Sequence, residues 1–359
     1  MKCSVEKLKT AWRQVASVCP SRSPKEIYQY VRLDIADGTF TLSATDGEVF
    51  VTVGDCFHPG MSRLLPVKSF GRILDAATDE EIAFADDVIK CGDDVWELQA
   101  PDIGDWQFSG VPDTGRDYRV DCDQMHVSLS LASISVDGES TRYALGGVLF
   151  DFLNSDTLAL VASDSRRLSV NEVDCECDGE PDSDVDAVVP LKTVKLLLGL
   201  CGTAGSMSFA FGNQGGIVFR LSNAVIHSPL VAGRFPAWRK VMPSAGGDLF
   251  TFPASELGTA LKAASITTSE ESRGLHITLD DSGITATSKA ADVGRSRVVR
   301  KLEFGSTATM TVNPDYLLPM LNKVGGDCEL SLTYTDTDSP LLFSHDGGFR
   351  YVLMPLAKD

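Results

Sequence analysis

Apolar residues recur at helical spacing in six stretches of the chain. The first stretch shows the pattern most clearly, with one apolar face formed at intervals of three and four residues by Val5, Leu8, Trp12, Val15 and Val18. The periodicity predicts six helices, over residues 5–18, 69–77, 123–135, 193–200, 254–266 and 316–324.

Between these stretches, apolar and polar residues alternate. The alternation is clear at residues 40–44, 207–211 and 328–333. A period of two is typical of a strand with one buried and one solvated face, as in antiparallel sheets. The pattern therefore predicts an α+β protein in which helices pack on antiparallel sheets.

Three short patterns recur in one order along the chain. A strand ending in a polar turn occurs at 42–46, 160–164 and 284–288. A strand leading into a helix occurs at 65–68, 189–192 and 312–315, and an alternating strand closing on proline at 96–101, 224–229 and 351–355. Successive copies lie 118 to 128 residues apart. This period predicts a threefold repeat, with domains at 1–118, 119–247 and 248–359.

Composition narrows the class of protein. The 359 residues are 43% apolar and carry a formal net charge of −18, which argues against a generally basic protein that coats nucleic acid. No run of 18 apolar residues and no signal-peptide pattern occurs. The nine cysteines are odd in number and scattered, so we expect free thiols and a cytoplasmic location.

Catalytic motifs are not found in the sequence. It has no phosphate-binding loop, zinc-protease motif or nucleophile elbow, and its five histidines lack ligand spacing. The acidic run at 174–186 is better interpreted as a solvated loop than as a calcium site. Asp46 and Asp164 follow similar strands, and a hydrolase using either one is the weakest alternative, since Asp in such turns commonly binds its own backbone. We expect no catalytic residues, metal or cofactor.

The predicted helices differ from the rest of the chain in charge. Together with Lys68, Lys192 and Asp315, which lead into three of them, they carry a net charge of +4, against −22 elsewhere. Lys and Arg are good helix formers, which explains part of the difference. The alternative is a mildly basic, helix-lined surface that attracts phosphates without reading bases. The lining is uneven, because the stretch 123–135 contains neither Lys nor Arg.

Four motifs point to a family. They are TRYALGGVLF at 141–150, VASDSRRL at 161–168, GRFPAWRKVMP at 233–243 and RYVLMPL at 350–356. With these motifs the chain resembles the bacterial DNA polymerase III β subunit, the sliding clamp, over its whole length. The resemblance implies three domains of the DNA-clamp fold per subunit and a head-to-tail homodimeric ring, with helices inside and sheet outside.

The same resemblance implies a function. A clamp encircles duplex DNA without sequence preference and tethers DNA polymerase III, the clamp loader and other proteins that carry clamp-binding peptides. It confers processivity and is not an enzyme. A clamp-like peptide-binding scaffold with reduced DNA function remains the alternative.

Site residues follow from the resemblance by position. A peptide groove is expected at Leu145, Ser163, Ser165, Arg166, Arg167, Leu168, Pro236, Lys240, Val241, Asn313, Tyr316, Met354, Pro355 and Leu356. DNA-facing residues are expected at Lys7, Lys9, Arg13, Arg22, Lys68, Arg72, Lys192 and Lys195. The dimer interface is expected at Trp96, Leu98, Ile266 and Thr267.

Some of these positions depart from the family pattern. Ser165 and Arg166 replace a common Gly-His pair, and Lys240 stands where Arg is usual. Peptide preference is therefore expected to differ from that of a typical clamp. Thr267 replaces a larger apolar residue, which predicts a weaker dimer.

Overall fold

A computed structural model describes the chain over residues 1–56, 58–85, 87–108, 111–138, 144–177, 187–202, 205–212, 215–243, 246–268, 273–291, 293–345 and 347–356. Two compact units are present. Unit one comprises Met1–His126, Cys175–Glu180 and Lys192–Leu230, and unit two comprises Val127–Asp174, Pro181–Leu191 and Val231–Asp359. The start of the 141–150 motif and most of the acidic run at 174–186 lie outside the described residues.

All six predicted helices are present, and their ends differ from the predicted ends by at most two residues. They are α1 (Val5–Ala16), α2 (Val67–Ala76), α3 (Cys122–Ser133), α4 (Leu191–Cys201), α5 (Ala254–Ala264) and α6 (Pro314–Val324). Side-chain caps begin α1, α3 and α6, because an oxygen accepts from an amide that the first turn leaves without a partner. Asp121 Oδ1 accepts from the Gln124 N–H at 3.0 Å. Ser4 Oγ accepts from the Lys7 N–H at 3.4 Å, and Asn313 Oδ1 accepts from the Asp315 N–H at 2.9 Å.

Strands make up the rest of the ordered framework. Those before residue 122 are β1 (Lys2–Ser4), β2 (Tyr30–Ala36), β3 (Thr39–Thr45), β4 (Phe50–Gly54), β5 (Met61–Pro66), β6 (Glu81–Ala85), β7 (Val88–Cys91), β8 (Asp94–Glu97) and β9 (Thr114–Asp121). The next group is β10 (Gly147–Phe152), β11 (Thr157–Ser163), β12 (Arg167–Asp174), β13 (Glu176–Cys177), β14 (Ala187–Pro190), β15 (Ser206–Gly212), β16 (Ile217–Leu221) and β17 (Ala224–Ser228). The last are β18 (Asp248–Pro253), β19 (Leu275–Asp280), β20 (Gly283–Ala290), β21 (Gly294–Arg300), β22 (Ala308–Val312), β23 (Glu329–Tyr334), β24 (Leu341–His345) and β25 (Phe349–Leu353).

Unit one contains two sheets whose described pairs are all antiparallel. The larger has nine strands in the order β13-β9-β15-β16-β17-β4-β3-β2-β5, and the smaller has the order β1-β6-β7-β8. Helices α1 and α2 pack together through the rings of Trp12 and Phe70, whose centroids are 4.7 Å apart. The strand predicted at 96–101 is observed only in part, since β8 spans Asp94–Glu97 and ends four residues earlier than expected.

Unit two repeats this plan with an eight-stranded sheet in the order β14-β10-β11-β12-β25-β24-β23-β18 and a four-stranded sheet in the order β21-β20-β19-β22. Its main core lies between α5, α6 and the sheets, with Phe250, Phe252 and Phe343 among its fully buried side chains. A second, smaller core around Val161, Leu168 and Trp238 lies beside it.

The middle copy of the repeat contributes strands to both units. Strands β13, β15, β16 and β17 and the end of β9 join the nine-stranded sheet, and β10, β11, β12 and β14 join the eight-stranded sheet. The α+β class and the antiparallel sheets are confirmed. The division into domains at 118 and 247 stays a prediction. Among the described helices, none has the length and apolar character needed to span a bilayer.

Candidate functional site

A cavity of about 650 Å³ opens in unit two, between the turn from β11 to β12 and the segment 235–243. Ten of the predicted groove residues line it, and they are Leu145, Ser163, Ser165, Arg166, Arg167, Leu168, Pro236, Lys240, Val241 and Met354. Six further residues that were not predicted also line it, and they are Phe235, Trp238, Met242, Pro243, Pro340 and Val352. The residues come from segments about 200 positions apart in the chain.

The cavity has a buried apolar floor and an exposed apolar rim. Leu145, Leu168 and Trp238 are almost fully buried in the smaller core of unit two. Val241 is 57% exposed and Met354 is 45% exposed. An apolar rim above a packed floor suits the aliphatic and aromatic anchors of a short peptide, since their burial there removes further apolar surface from water.

One edge of the cavity is a tight turn held by Asp164. Its Oδ1 accepts from the backbone N–H groups of Arg166 and Arg167, both at 3.0 Å. Ser165 takes a positive φ of 72°, which a non-glycine residue adopts only where its surroundings hold it. The Arg166 carbonyl accepts from the Met354 N–H at 2.9 Å, so the turn also fixes the strand end that carries Met354.

Asp151 on β10 holds the opposite edge. The indole Nε1–H of Trp238 donates to its Oδ2 at 2.7 Å, and Arg239 forms an ion pair with the same oxygen at 2.8 Å. The Arg239 guanidinium also lies over the Trp238 ring, 4.6 Å from the centroid. These contacts fix the 3₁₀ turn Trp238–Lys240 and the side chains that face the cavity from it.

The cations around the cavity fall into two groups. Arg167 already has partners within the fold. It forms an ion pair with Asp164 at 2.8 Å, and its guanidinium lies 5.0 Å from the centroid of the Tyr316 ring. Burial alone would lower the pKa of Arg167, but Tyr351 and Asp164 raise it above its ordinary value. Arg166 and Lys240 are exposed and form no ion pair within the described chain. They are the cations available to a bound partner.

Four predicted groove residues do not line the cavity. Tyr316, on α6, supports it indirectly, because its carbonyl accepts from Arg167 at 3.3 Å and from the Tyr351 hydroxyl at 2.7 Å. Asn313 caps α6. Pro355 and Leu356 follow Met354, and the Leu356 N–H donates to the Thr311 carbonyl at 2.8 Å.

The expected DNA-facing residues all lie in unit one. Lys7, Arg13, Arg22, Lys68, Arg72, Lys192 and Lys195 are exposed, and Lys9 is half-buried. Lys192 has a role that the sequence did not reveal. Its ammonium pairs with Asp46 and donates to the Val18 carbonyl at 3.1 Å, so it joins α4 to the turn after β3.

The expected dimer residues lie near two sheet edges. Trp96 is on β8, and Leu98 follows the end of that strand. Ile266 and Thr267 lie in the 3₁₀ turn after α5, where Ile266 is 74% exposed. Thr267 is held by a hydrogen bond between its hydroxyl and that of Ser288, with 2.6 Å between the oxygens.

Asp46 and Asp164, the two candidate acid–base residues, both accept hydrogen bonds from nearby backbone amides. Asp46 Oδ1 accepts from the N–H groups of Glu48 and Val49 at 3.0 and 2.8 Å, and Asp164 holds its own turn in the same way. The described residues contain no group of His, Cys, Asp and Glu side chains suited to a metal ion. None of the nine cysteines, which all lie among the described residues, forms a disulfide, and burial raises the pKa of Cys3, Cys19 and Cys201 to about 12.

Comparison with known proteins agrees with this geometry. The family described as DNA polymerase III beta subunit, central domain, matches residues 119–237. The beta sliding clamp of Chlamydia pneumoniae is 23% identical over 355 residues, which cover 96% of this chain and 95% of the relative. The beta sliding clamp of Vibrio cholerae is 24% identical, with 96% of each chain covered.

Solved structures match over the same length. The DNA polymerase sliding clamp of Pseudomonas aeruginosa superposes with a TM-score of 0.86 at 22% identity, covering 100% of this chain and 99% of that one. The DNA polymerase III beta subunit of Thermotoga maritima gives 0.87 at 20% identity, with 100% and 99% covered. The fold is therefore that of the sliding clamps. The chain is similar to the DNA polymerase III β subunit, and the family match over residues 119–237 includes the motif at 161–168.

Proposed function

We propose that this chain is a DNA sliding clamp, a non-catalytic subunit that encircles duplex DNA as a homodimeric ring and keeps a DNA polymerase on it. The observation that carries the proposal is the full-length match to the clamp fold, together with a cavity lined by ten of the residues expected for peptide binding. The proposal assigns the helices to the DNA side and the cavity to partners.

Charge supports the assignment of the helices. Two helices of unit one present Lys7, Arg13, Lys68 and Arg72 at the surface, while the whole chain carries −18. A weakly positive lining attracts phosphates through screened, undirected forces, so the ring slides. The acidic remainder repels DNA from other surfaces. Retention then depends on topology, because a closed ring cannot leave a circle.

The cavity is proposed as the docking site for short peptides of the polymerase, the clamp loader and other clamp-binding proteins. Its apolar floor accepts aliphatic or aromatic anchors. Arg166 and Lys240 are exposed on its rim, which favours a peptide with an acidic side chain beside the anchors. Their replacement of common family residues is the reason to expect a distinct preference.

Topology provides the test. The protein is loaded on nicked circular DNA with a clamp loader, isolated by gel filtration, and treated with a restriction enzyme that cuts the circle once. We expect the bound protein to dissociate after cutting, since free ends release a ring. A parallel sample whose linear ends are blocked by bound protein should retain it. Persistence on linear DNA with open ends would contradict encirclement.

A peptide-binding scaffold with reduced DNA function is the second candidate. It is favoured by Lys192, because an ammonium paired with Asp46 and the Val18 carbonyl contributes less to a DNA-facing surface. The same experiment distinguishes the two. A scaffold would bind a polymerase peptide at the cavity and yet fail to remain on the intact circle.

A further inference from the structure

Two cysteines meet where the middle copy of the repeat brings its two helices together. Helix α3 begins at Cys122, and α4 ends at Cys201. Both side chains are fully buried, and both residues belong to unit one. Their thiols share a side-chain hydrogen bond. Two thiols in contact can be oxidised together to a disulfide, which a single buried thiol cannot form within its own chain.

The strands beside these helices fix the position of the pair. Val120 of β9 lies opposite Met207 of β15, and Cys122 follows two residues later. The Cys122 N–H donates to the Gly205 carbonyl at 3.4 Å, and the Cys201 thiol donates to the Met207 sulfur at 3.7 Å. Both cysteines are therefore held against the same pair of strands.

The other copies of the repeat build this junction without a thiol pair. In each, the first residue of the opening helix donates its N–H to a carbonyl that follows the second helix. The donors are Val5 at 2.9 Å in the first copy and Ala254 at 2.8 Å in the third. The second helices of these copies end at Ala76 and Val324. Apolar residues thus occupy the junction there, so the fold itself does not require two thiols in the middle copy.

Burial controls how fast the pair can react. Desolvation raises the pKa of both thiols, and that of Cys201 to about 12, so little thiolate is present while the junction is closed. The neighbouring carboxylates of Asp121 and Asp123 raise the pKa of Cys122 further. Oxidation therefore needs a local opening that admits water and the oxidant.

We propose that Cys122 and Cys201 form a modification site at which a hydroperoxide creates an intramolecular disulfide. One thiolate sulfur bonds to a peroxide oxygen, the O–O bond breaks and hydroxide leaves, which gives a sulfenic acid. The other thiolate attacks this sulfur, the S–O bond breaks and a second hydroxide leaves as the S–S bond forms. The two thiol protons convert both hydroxides to water, and two electrons pass from the thiols to the peroxide.

The disulfide would join the start of α3 to the end of α4 across about 80 residues of chain. Closing a loop of this length restricts the unfolded chain and so stabilises the folded one. The cavity in unit two contains neither cysteine, so its affinity for a peptide should not change on oxidation. This site lies within unit one and does not depend on the proposed ring.

Peroxide treatment followed by peptide mapping tests the site. The full chain is treated with hydrogen peroxide at neutral pH, unfolded, alkylated at its remaining free thiols and digested. We expect a linked peptide pair that contains Cys122 and Cys201 and that dithiothreitol separates. The melting temperature of the linked chain should rise by roughly 5 °C. In urea too dilute to unfold the chain, the link should form about tenfold faster, because the junction opens more often.

Two variants borrow residues from the first copy of the repeat. Cys122→Val and Cys201→Ala each remove one thiol and introduce the residue type found at Val5 or Ala76. Neither variant should form the link or gain stability with peroxide. Cys328→Ser removes a half-buried thiol elsewhere and is the matched control, in which the link should form as in the wild type.

The outcomes separate clearly. A link in the wild type and in Cys328→Ser that is absent from both junction variants supports the site. Sulfinic or sulfonic acid at Cys122 or Cys201 without a link overturns it, as does a link from either residue to another cysteine. Two unreacted thiols after peroxide treatment in dilute urea also overturn it. None of these results bears on encirclement of DNA, which the experiment with circular DNA tests by itself.

Discussion

The turn after β3 and the turn after β11 are the same structure in two settings. In each, an aspartate accepts from the second and third N–H groups that follow it, from Glu48 and Val49 in the first turn. In each, the residue after the aspartate has a positive φ, 100° at Gly47 and 72° at Ser165. The repeat therefore preserves the turn itself, and the differences lie in what packs on it.

The first turn is covered by the protein itself. A Cβ on Gly47 would lie 2.7 Å from the Tyr28 hydroxyl, which shows how closely this side chain packs on the turn. Tyr28 packs on Phe108, and Phe108 on Trp106, with centroids 5.6 and 5.0 Å apart. The Lys192 ammonium pairs with Asp46. The second turn instead borders the 650 Å³ cavity, and its aspartate pairs with Arg167 of its own turn.

This difference teaches how one duplicated plan acquires two roles. In the turn after β3, Lys192 of α4 supplies the cation and aromatic rings cover the backbone, so this turn connects elements inside the fold. Where the turn supplies its own cation, the neighbouring surface stays open to another molecule. The four predictions below test this contrast, in order of expected effect.

The largest effect is expected at the open turn. Leu168→Ala combined with Met354→Ala removes one floor and one rim contact, which should weaken binding of a labelled DNA polymerase III peptide by roughly 2–4 kcal/mol. Fluorescence anisotropy measures the affinity. Leu249→Ala, an exposed apolar truncation that does not line the cavity, serves as the control and should leave the affinity unchanged. An unchanged affinity in the double variant would show that the peptide binds elsewhere.

A smaller effect is expected at the covered turn. Gly47→Ser adds a Cβ where Tyr28 already lies and imposes a positive φ on a non-glycine residue. We expect the free energy of unfolding to fall by about 1–3 kcal/mol, measured by denaturant titration. Gly38→Ser is a suitable control, since it also has a positive φ but nothing within 4 Å of its Cβ position. Equal losses in the two variants would mean that Tyr28 packing plays no part.

The joint between α4 and the first turn should respond to pH. Burial alone would raise the pKa of Asp46, but Lys192 and the Val49 and Glu48 amides bring it below its ordinary value. Because the folded pKa is lowered, the stabilisation is complete above the unfolded pKa of about 3.9 and is lost as pH falls through the folded value. Asp46→Asn should cost about 1 kcal/mol at neutral pH and flatten the acid limb of the stability curve. If the free energy of unfolding of Asp46→Asn falls with acid as it does in the wild type, the Lys192–Asp46 ion pair does not stabilise the fold.

The smallest effect is expected at the matching position of the open turn. Ser165→Gly relieves a positive φ of 72° but adds backbone freedom to the unfolded chain. These terms nearly cancel, so the free energy of unfolding should rise by about 0.5 kcal/mol at most. A loss comparable with that of Gly47→Ser would show that the Ser165 side chain is itself part of the packing.

Much of the fold could be predicted because it depends on local periodicity. The helices follow the spacing of apolar residues, as in Val5 and Leu8 of α1. Strand β8 was predicted too long, since alternation continues past Glu97 although pairing with β7 stops there. Which strands pair, and over what length, depends on tertiary structure, and the period-two alternation of apolar and polar residues does not encode it.

Residues of the candidate site could be predicted only where they lie within a recognised sequence motif. The motifs at 161–168 and 233–243 placed most of the cavity lining. Phe235 and Trp238 lie inside the second motif but have the apolar character of plain core residues, and they line the cavity while remaining buried. The partnership of Lys192 with Asp46 joins residues 146 positions apart, which no spacing rule reveals.

The contrast between the two turns is tested most directly by hydrogen exchange with mass spectrometry, in the presence of the polymerase peptide. We expect new protection at residues 163–168, 235–242 and 352–354, with none at residues 45–50 and 104–108. Protection at the covered turn, or no protection at the open one, would contradict the account.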